Sequence, residues 1–242
     1  MEKKICNLLT FFLFAVSVSY AQESGRDGQL QRASTKEIKS YLEMVADYAV
    51  IYSGRIEEPY TSTPSNHPYL GSDGFLAGTL CYNGIIYSNI MLRYNIERED
   101  FLVMHNQFRF GIELKKEKVD WVVLNGYKIV ASRGIDWKGI PNSRFLILLH
   151  EDMYPIIKDS KASFRSRNSD KTVEYYFELE NRYFVCVDGI CHLVKNKKSI
   201  LNLFPDKKGE LDLYARRMRL DFKREPEAAY VEMVRYYESL NR

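Results

Sequence analysis

The sequence is short of the residues that mark several protein classes. Its 242 residues include 7 prolines, 13 glycines and 4 cysteines, too few for a collagen-like, low-complexity or disulfide-dense chain. The formal net charge is only +3, which does not favour a general nucleic-acid-binding protein. With 45% hydrophobic and 14% aromatic residues, the composition is that of a folded globular protein. Its 18 tyrosines favour β-strands.

The first 21 residues have the features of a secretory signal peptide. Lys3 and Lys4 precede an apolar run over residues 5–18, and Ser19 and Ala21 are the small residues that signal peptidase reads. The apolar run is about 14 residues long, shorter than the roughly 20 residues that span a bilayer. We therefore expect cleavage after Ala21 and a mature chain without a transmembrane segment. The expected location is periplasmic, outer-membrane associated or extracellular.

The pattern after the signal peptide predicts an α+β protein. Residues 22–33 are polar and indicate a flexible leader. Ser34 and Glu37 form a capping box, which predicts an N-terminal helix over about residues 35–49. Residues 57–73 contain three prolines and predict a loop. Residues 34–195 together are expected to form a β-rich body with this one short helix.

Three dipeptides in the β-rich body predict hairpins with type I′ turns. They are Asn83-Gly84, Asn125-Gly126 and Asp188-Gly189. Further strands are expected at residues 90–95, 101–105, 108–114, 145–150, 153–158 and 173–180. Because the connections are too short for parallel crossovers, the strands predict a mostly antiparallel β-meander or an open barrel-like sheet.

The end of the chain, residues 196–242, predicts a basic module of two to three helices that packs on the β-rich body. Ser199 is expected to cap a first helix, Pro205 to begin a second, and Pro226 to stand in the first turn of a third. Leu220 and Phe222 alternate with charged residues, which predicts a short extended connector before the last helix.

Short motifs spread over most of the chain carry a resemblance to known sequences. They are HPY at 67–69, GTLCYNGIIY at 78–87, LRYNI at 92–96, DFLV at 100–103, YFV at 183–185, DG at 188–189, LNLF at 201–204 and YY at 236–237. Together they resemble a family of uncharacterised exported β-rich proteins of Bacteroidetes-type bacteria. The resemblance implies export and the fold described above, and it brings no catalytic residue with it.

Cys186 and Cys191 flank the predicted turn at Asp188-Gly189. In a two-residue hairpin Val187 pairs with Ile190, so the two cysteines stand opposite each other in the next, non-hydrogen-bonded pair, about 4.5 Å apart at Cα. A disulfide is therefore the candidate state in an oxidising compartment. Two reduced thiols on one face of the strand pair are the alternative.

His192 follows Cys191 and raises two further interpretations, haem attachment and zinc binding. The haem motif C-x-x-C-H is two residues shorter than this spacing, and zinc requires a fourth ligand, for which Cys81 and His150 are the candidates. Cys81 is otherwise expected to be a buried, inert thiol that faces Ile86 across the first hairpin. We predict neither a cofactor nor a metal.

Complete catalytic motifs are missing from the sequence. It contains no G-x-S-x-G elbow, no P-loop and no G-x-G-x-x-G. The segment His150-Glu151-Asp152 begins like a zinc-protease motif but lacks the second histidine and falls at a predicted turn. Glu97, Glu99 and Asp100 are candidate glycosidase carboxylates, but Arg98 lies among them and favours a solvated turn.

Positive charge is concentrated between residues 195 and 224, which contain ten Lys or Arg and four Asp or Glu, a local net charge of +6. Without residues 1–21, whose net charge is +1, the chain carries +2 in total and −4 outside this block. Solvated helix faces are one interpretation, and attraction to an anionic envelope surface or an acidic envelope protein is the other. The candidate basic surface consists of Lys195, Lys197, Lys198, Lys207, Lys208, Arg216, Arg217, Arg219, Lys223 and Arg224.

These features together predict an exported, non-enzymatic protein of the cell envelope that acts by binding or as a component of an assembly. The alternative is a carbohydrate-binding or carbohydrate-active protein that uses carboxylates with exposed tyrosines or with Trp121 and Trp137. The tyrosines on or beside predicted strands are Tyr69, Tyr82, Tyr87, Tyr94, Tyr127, Tyr175, Tyr176 and Tyr183. No nucleic-acid partner is expected.

Overall fold

A computed structural model describes residues 50–241, apart from residues 106, 142, 170 and 171. The predicted signal peptide, the leader and the helix over residues 35–49 lie outside the described residues. None of the described helices has the length and apolar character that crossing a membrane requires.

Ten antiparallel strands form one open sheet. In chain order they are β1 (Leu76–Tyr82), β2 (Ile85–Asn95), β3 (Asp100–Met104), β4 (Gly111–Glu113), β5 (Val119–Leu124), β6 (Tyr127–Ala131), β7 (Phe145–His150), β8 (Ile156–Ser169), β9 (Thr172–Val187) and β10 (Ile190–Val194). Their order across the sheet is β10-β9-β8-β7-β6-β5-β1-β2-β3-β4. The predicted α+β class with a mostly antiparallel, open sheet is therefore confirmed.

All three predicted hairpin turns are present, and their backbone angles explain the residue choice. The φ angles are +53° and +78° at Asn83-Gly84, +52° and +77° at Asn125-Gly126, and +50° and +74° at Asp188-Gly189. A type I′ turn needs two successive positive φ angles, which Asn, Asp and Gly adopt at the lowest cost. These turns fix the register of β1 with β2, β5 with β6 and β9 with β10.

The strand lengths differ from the predicted ones in three places. β8 and β9 form a long hairpin that pairs from Ile156 opposite Val185 to Ser169 opposite Thr172. Residues 161–168 of this hairpin are mostly exposed and polar, so they lack the apolar alternation that marks a half-buried strand. β4 is shorter than predicted because the chain turns just before it, where the backbone N–H of His105 donates to the carbonyl oxygen of Phe110 at 2.9 Å.

Three α-helices follow the sheet: α1 (Lys197–Leu203), α2 (Lys208–Arg217) and α3 (Pro226–Leu240). The prediction that Ser199 caps the first helix is wrong, because the cap is Asn196. The Asn196 side-chain oxygen accepts from the Ser199 backbone N–H at 3.0 Å, and the Ser199 hydroxyl oxygen accepts from the Asn196 backbone N–H at 3.0 Å. Ser199 thus occupies the third helical position of a reciprocal capping box.

The prediction of an extended connector before α3 is wrong, whereas the predicted position of Pro226 is confirmed. Pro205 begins a short 3₁₀ turn, Pro205–Lys207, that leads into α2. The connector before α3 is a series of turns and not an extended segment, because the Asp221 carboxylate accepts from the backbone N–H groups of Lys223 and Arg224 at 3.0 and 2.9 Å. Pro226 is the first residue of α3, as predicted.

The helices cover one face of the sheet at the β7–β10 side. Alternate residues of β9 point to opposite faces, so Tyr183 and Val185 pack towards the helices while Phe184 and Cys186 pack on the other side. The helical side of this core consists of Ile200, Leu201, Phe204, Leu211, Ala215, Tyr230, Met233, Val234 and Tyr237. The opposite face is covered by the β6–β7 connection through Ile135, Trp137 and Ile140.

Candidate functional site

The ten residues of the predicted basic surface divide into two groups. Four of them form ion pairs with acids of the same module: Lys197 with Asp212 at 2.8 Å, Lys207 with Glu210 at 3.1 Å, Arg216 with Asp212 at 2.6 Å and Arg224 with Asp221 at 4.0 Å. These pairs occupy three of the four acids between residues 195 and 224. The fourth, Asp206, accepts hydrogen bonds from the Tyr237 hydroxyl at 3.3 Å.

The other six basic side chains, which we call the unpaired cations, form no ion pair within 4 Å among the described residues. All six are exposed: Lys195, Lys198, Lys208, Arg217, Arg219 and Lys223. Lys208 donates to the Asn202 side chain at 3.0 Å, and the Arg217 guanidinium lies 5.8 Å from the centre of the Tyr214 ring. The local excess of positive charge is therefore carried by side chains that face solvent.

Exposed apolar side chains lie on the same module. Leu213 on α2 is 67% exposed, and Met218 directly after α2 is 51% exposed. Arg217 follows Leu213 by four residues, so the two share one face of the helix. Cationic and apolar side chains on one helix face are the combination that interfacial helices present to a membrane surface.

A cleft lies between the β9–β10 edge of the sheet and the connector before α3. One part, of about 500 Å³, is lined by Arg182, Tyr183, Lys195 and Phe222. Its neighbour, of about 430 Å³, shares Tyr183 and is lined by Lys223 and Arg224 and by the acids Glu225 and Glu227. Two of the unpaired cations therefore line this cleft, Lys195 in the first part and Lys223 in the second.

Two of the other charged residues in this cleft, Arg182 and Glu227, have internal partners. Arg182 is paired with the fully buried carboxylate of Asp159. Glu227 accepts from the Lys158 ammonium at 2.6 Å and from the Tyr127 hydroxyl at 2.9 Å. Lys195 and Lys223 are therefore the cleft cations without an ion pair among the described residues, and they share the cleft with Glu180 and Glu225, which form none either.

The structure joins Cys186 and Cys191 by a disulfide. Val187 pairs with Ile190 and Cys186 with Cys191, which is the register expected from the two-residue turn. The bonded sulfurs offer no thiolate to haem or zinc, and no three-ligand cluster of the described residues includes them. His192 pairs with Val185 in the ladder and is exposed.

Replacing Cys186 and Cys191 together by Ser is expected to lower the free energy of unfolding by at most about 2 kcal/mol, because the disulfide closes a short loop and removes little entropy from the unfolded chain. Urea denaturation of the wild type and the double variant measures this difference. Reductant should lower the wild-type value to that of the variant and leave the variant unchanged. Equal wild-type values with and without reductant would contradict a stabilising bond.

Cys81 is buried on β1 opposite Ile86, as predicted. Burial raises the pKa of the Cys81 thiol, and the Asp120 carboxylate, 3.7 Å from its Sγ, raises the pKa further. The thiol therefore stays protonated and unreactive at neutral pH. The sequence did not indicate Asp120, which is 39 residues away.

The candidate glycosidase carboxylates each have a partner within the fold. Glu97 accepts from the Tyr60 hydroxyl at 2.9 Å, and Asp100 pairs with Lys116 at 2.8 Å. Glu99 accepts from the backbone N–H of Arg144 at 2.9 Å. Their arrangement supports a structural role in holding neighbouring segments together.

A cleft that the sequence did not predict is formed by the loop over residues 57–73. It has a volume of about 350 Å³ and is lined by Glu57, Tyr60 and Tyr69 among others. The Tyr69 hydroxyl donates to Glu57 at 2.7 Å, and the Arg93 guanidinium lies 4.1 Å from the centre of the Tyr69 ring. Burial, with a contribution from Glu97, raises the pKa of Tyr60 to about 12, so its hydroxyl stays protonated at neutral pH.

None of the aromatic residues named for carbohydrate recognition is fully exposed. Tyr82, Tyr94 and Tyr183 are buried, and the other five tyrosines are half-buried. Trp137 packs against the core beneath β7 and β8, and Trp121 is half-buried. Carbohydrate recognition stays a prediction, and the cleft at Tyr60 and Tyr69 is the place where it would occur.

No protein family model, no curated protein and no solved structure matches this chain. The choice among the candidate surfaces therefore depends on their own geometry and charge.

Proposed function

We propose that this is an exported, non-enzymatic protein of the cell envelope whose C-terminal helical module binds an anionic lipid surface. The observation that carries the proposal is the set of six exposed, unpaired cations between residues 195 and 224. Three of the four acids between residues 195 and 224 are already used in ion pairs. This segment therefore carries an excess of exposed positive charge, and six of its cations form no ion pair among the described residues.

The chemistry of this surface fits phosphate-bearing lipid headgroups. A Lys or Arg near an anionic membrane contributes about 1 kcal/mol of attraction, which decays within a Debye length of roughly 8–10 Å. Leu213 and Met218 add exposed apolar area beside these cations. Burial of such side chains at the headgroup boundary strengthens a contact that charge alone would leave weak.

Vesicle flotation with the chain lacking residues 1–21 tests the proposal. The protein should float with vesicles that contain phosphatidylglycerol and should remain at the bottom with vesicles of phosphatidylcholine alone. Raising the salt concentration from about 0.05 to 0.5 M should release most of the bound protein, because the attraction between exposed charges is screened. Equal binding to both vesicle types, or binding to neither, would contradict the proposal.

A further inference from the structure

Three side chains with metal-ligating atoms meet where β7 ends against α3. His150 is the last residue of β7, Asp152 lies in the turn that follows, and Glu238 lies in the last turn of α3. The Nε2 atom of His150 is 2.9 Å from Oε2 of Glu238 and 3.9 Å from Oδ2 of Asp152. All three ligand atoms lie within 4.8 Å of one another.

The burial of this cluster leaves negative charge without a permanent cation. The side chains of His150 and Glu238 are only 4% and 5% exposed, whereas that of Asp152 is 67% exposed. Among the described residues, no Lys or Arg forms an ion pair with either carboxylate. A buried carboxylate is costly unless a positive charge or several hydrogen bonds compensate it.

Hydrogen bonding fixes the direction of the buried carboxylate. The backbone N–H of Tyr154 donates to Oε1 of Glu238 at 3.0 Å. This bond leaves Oε2 directed at the His150 ring and holds α3 in place for both contacts. A carboxylate oriented by a second partner in this way is the arrangement that metal-ligating carboxylates commonly show.

The donor set and its spacing fit a zinc ion. One imidazole nitrogen and two carboxylate oxygens suit Zn²⁺, whereas Ca²⁺ and Mg²⁺ prefer oxygen ligands alone. Ligand atoms that each lie about 2.0–2.2 Å from zinc are roughly 3–4 Å apart, and the two distances from His150 are 2.9 and 3.9 Å. The exposed position of Asp152 leaves room for water on the solvent side.

We propose that His150, Asp152 and Glu238 form a Zn²⁺ site in which water supplies a fourth ligand. The ion joins the end of β7 to the C-terminal turn of α3 and neutralises the buried carboxylate. The segment His150-Glu151-Asp152 lacks the second histidine of a zinc-protease motif, and the third ligand comes instead from Glu238, which is 88 residues away. The site is independent of the lipid-binding surface proposed above.

Competitive zinc titration with a chromophoric chelator tests this site in the chain lacking residues 1–21. All proteins carry Cys81→Ser, which removes the remaining free thiol as a ligand. We expect one Zn²⁺ per chain. The zinc affinity should fall by more than 10-fold in Asp152→Asn, because replacing a residue that only hydrogen-bonds to a metal ligand already lowers metal affinity by about 10- to 100-fold. Asp152 is exposed, so this variant should fold.

Glu151→Gln is the matched control, because Glu151 lies in the same turn and pairs with Lys128 at 2.5 Å instead of the cluster. Its zinc affinity should equal that of the parent. Substituted Co²⁺ should give visible d–d absorption that His150→Gln changes and Glu151→Gln leaves unaltered. A stoichiometry well below one zinc per chain, or equal affinities in Asp152→Asn and Glu151→Gln, would overturn the proposal.

Discussion

Phe204→Ala is expected to lower the free energy of unfolding by about 3–5 kcal/mol, the usual cost of removing a fully buried aromatic ring. Phe204 is only 2% exposed and follows α1 directly. Its ring lies 4.0 Å from that of Tyr237 on α3 and 5.3 Å from that of Tyr154 in the β7–β8 turn, measured between ring centres. The substitution therefore opens a cavity where two helices meet the sheet.

Leu213→Ala is the control for this change. Leu213 is also in the helical module, but 67% of it is exposed, so its truncation should alter the free energy of unfolding by no more than about 0.5 kcal/mol. Urea denaturation followed by circular dichroism measures both variants. A cost below about 1 kcal/mol for Phe204→Ala would mean that the helices do not pack on the sheet as described.

The parts of the fold that could be predicted are those with a local physical cause. Asn83-Gly84 and the two related dipeptides determine their own turns, because few other residues adopt two successive positive φ angles. The disulfide register follows from the same rule, since Cys186 and Cys191 stand one residue outside the Val187–Ile190 pair. Export and envelope location remain predictions from the N-terminal sequence.

The parts that could not be predicted depend on contacts between distant residues or on strands that bury little. The outer part of the β8–β9 hairpin is held by backbone pairing between mostly polar, exposed residues, so it has no apolar pattern. Asn196 precedes the first helical residue and is the cap, and Ser199 is the third helical residue. The side chain of each accepts from the backbone N–H of the other, so the sequence signal at Ser199 belongs to a capping box that begins at Asn196. The contact of His150 with Glu238 forms only when α3 packs against β7.

For the basic surface, the sequence shows the excess of positive charge, and the structure shows which cations form ion pairs. Its excess of ten cations over four acids is visible in the sequence. Which cations remain unpaired is not visible there, because the ion pairs depend on how helices and turns orient their side chains. Asp212, for example, pairs with Lys197 from α1 and with Arg216 from its own helix, whereas the adjacent Arg217 forms no ion pair in the described part of the chain.

Replacing the six unpaired cations by Gln is expected to weaken binding to phosphatidylglycerol vesicles by up to about 20,000-fold, since each cation near the surface contributes about 1 kcal/mol. Gln has a helix propensity close to those of Lys and Arg, so the helices should persist. The variant comprises Lys195→Gln, Lys198→Gln, Lys208→Gln, Arg217→Gln, Arg219→Gln and Lys223→Gln.

A second variant controls for net charge. It removes the same number of positive charges from basic residues outside the module that form no ion pair in the described part of the chain, namely Arg109, Lys115, Lys118, Lys138, Arg144 and Lys161. Each is replaced by Gln, so both variants have the same formal charge. Any difference in vesicle binding between them reports the position of the charges alone.

The vesicle affinity of these two variants, measured side by side with the wild type, tests the lipid-binding account most directly. We expect the control variant to stay within about threefold of the wild type, because charges more than a Debye length from the surface are largely screened. The variant without the six unpaired cations should lose nearly all binding. Equal affinities in the two variants would show that the helical module is not the binding surface.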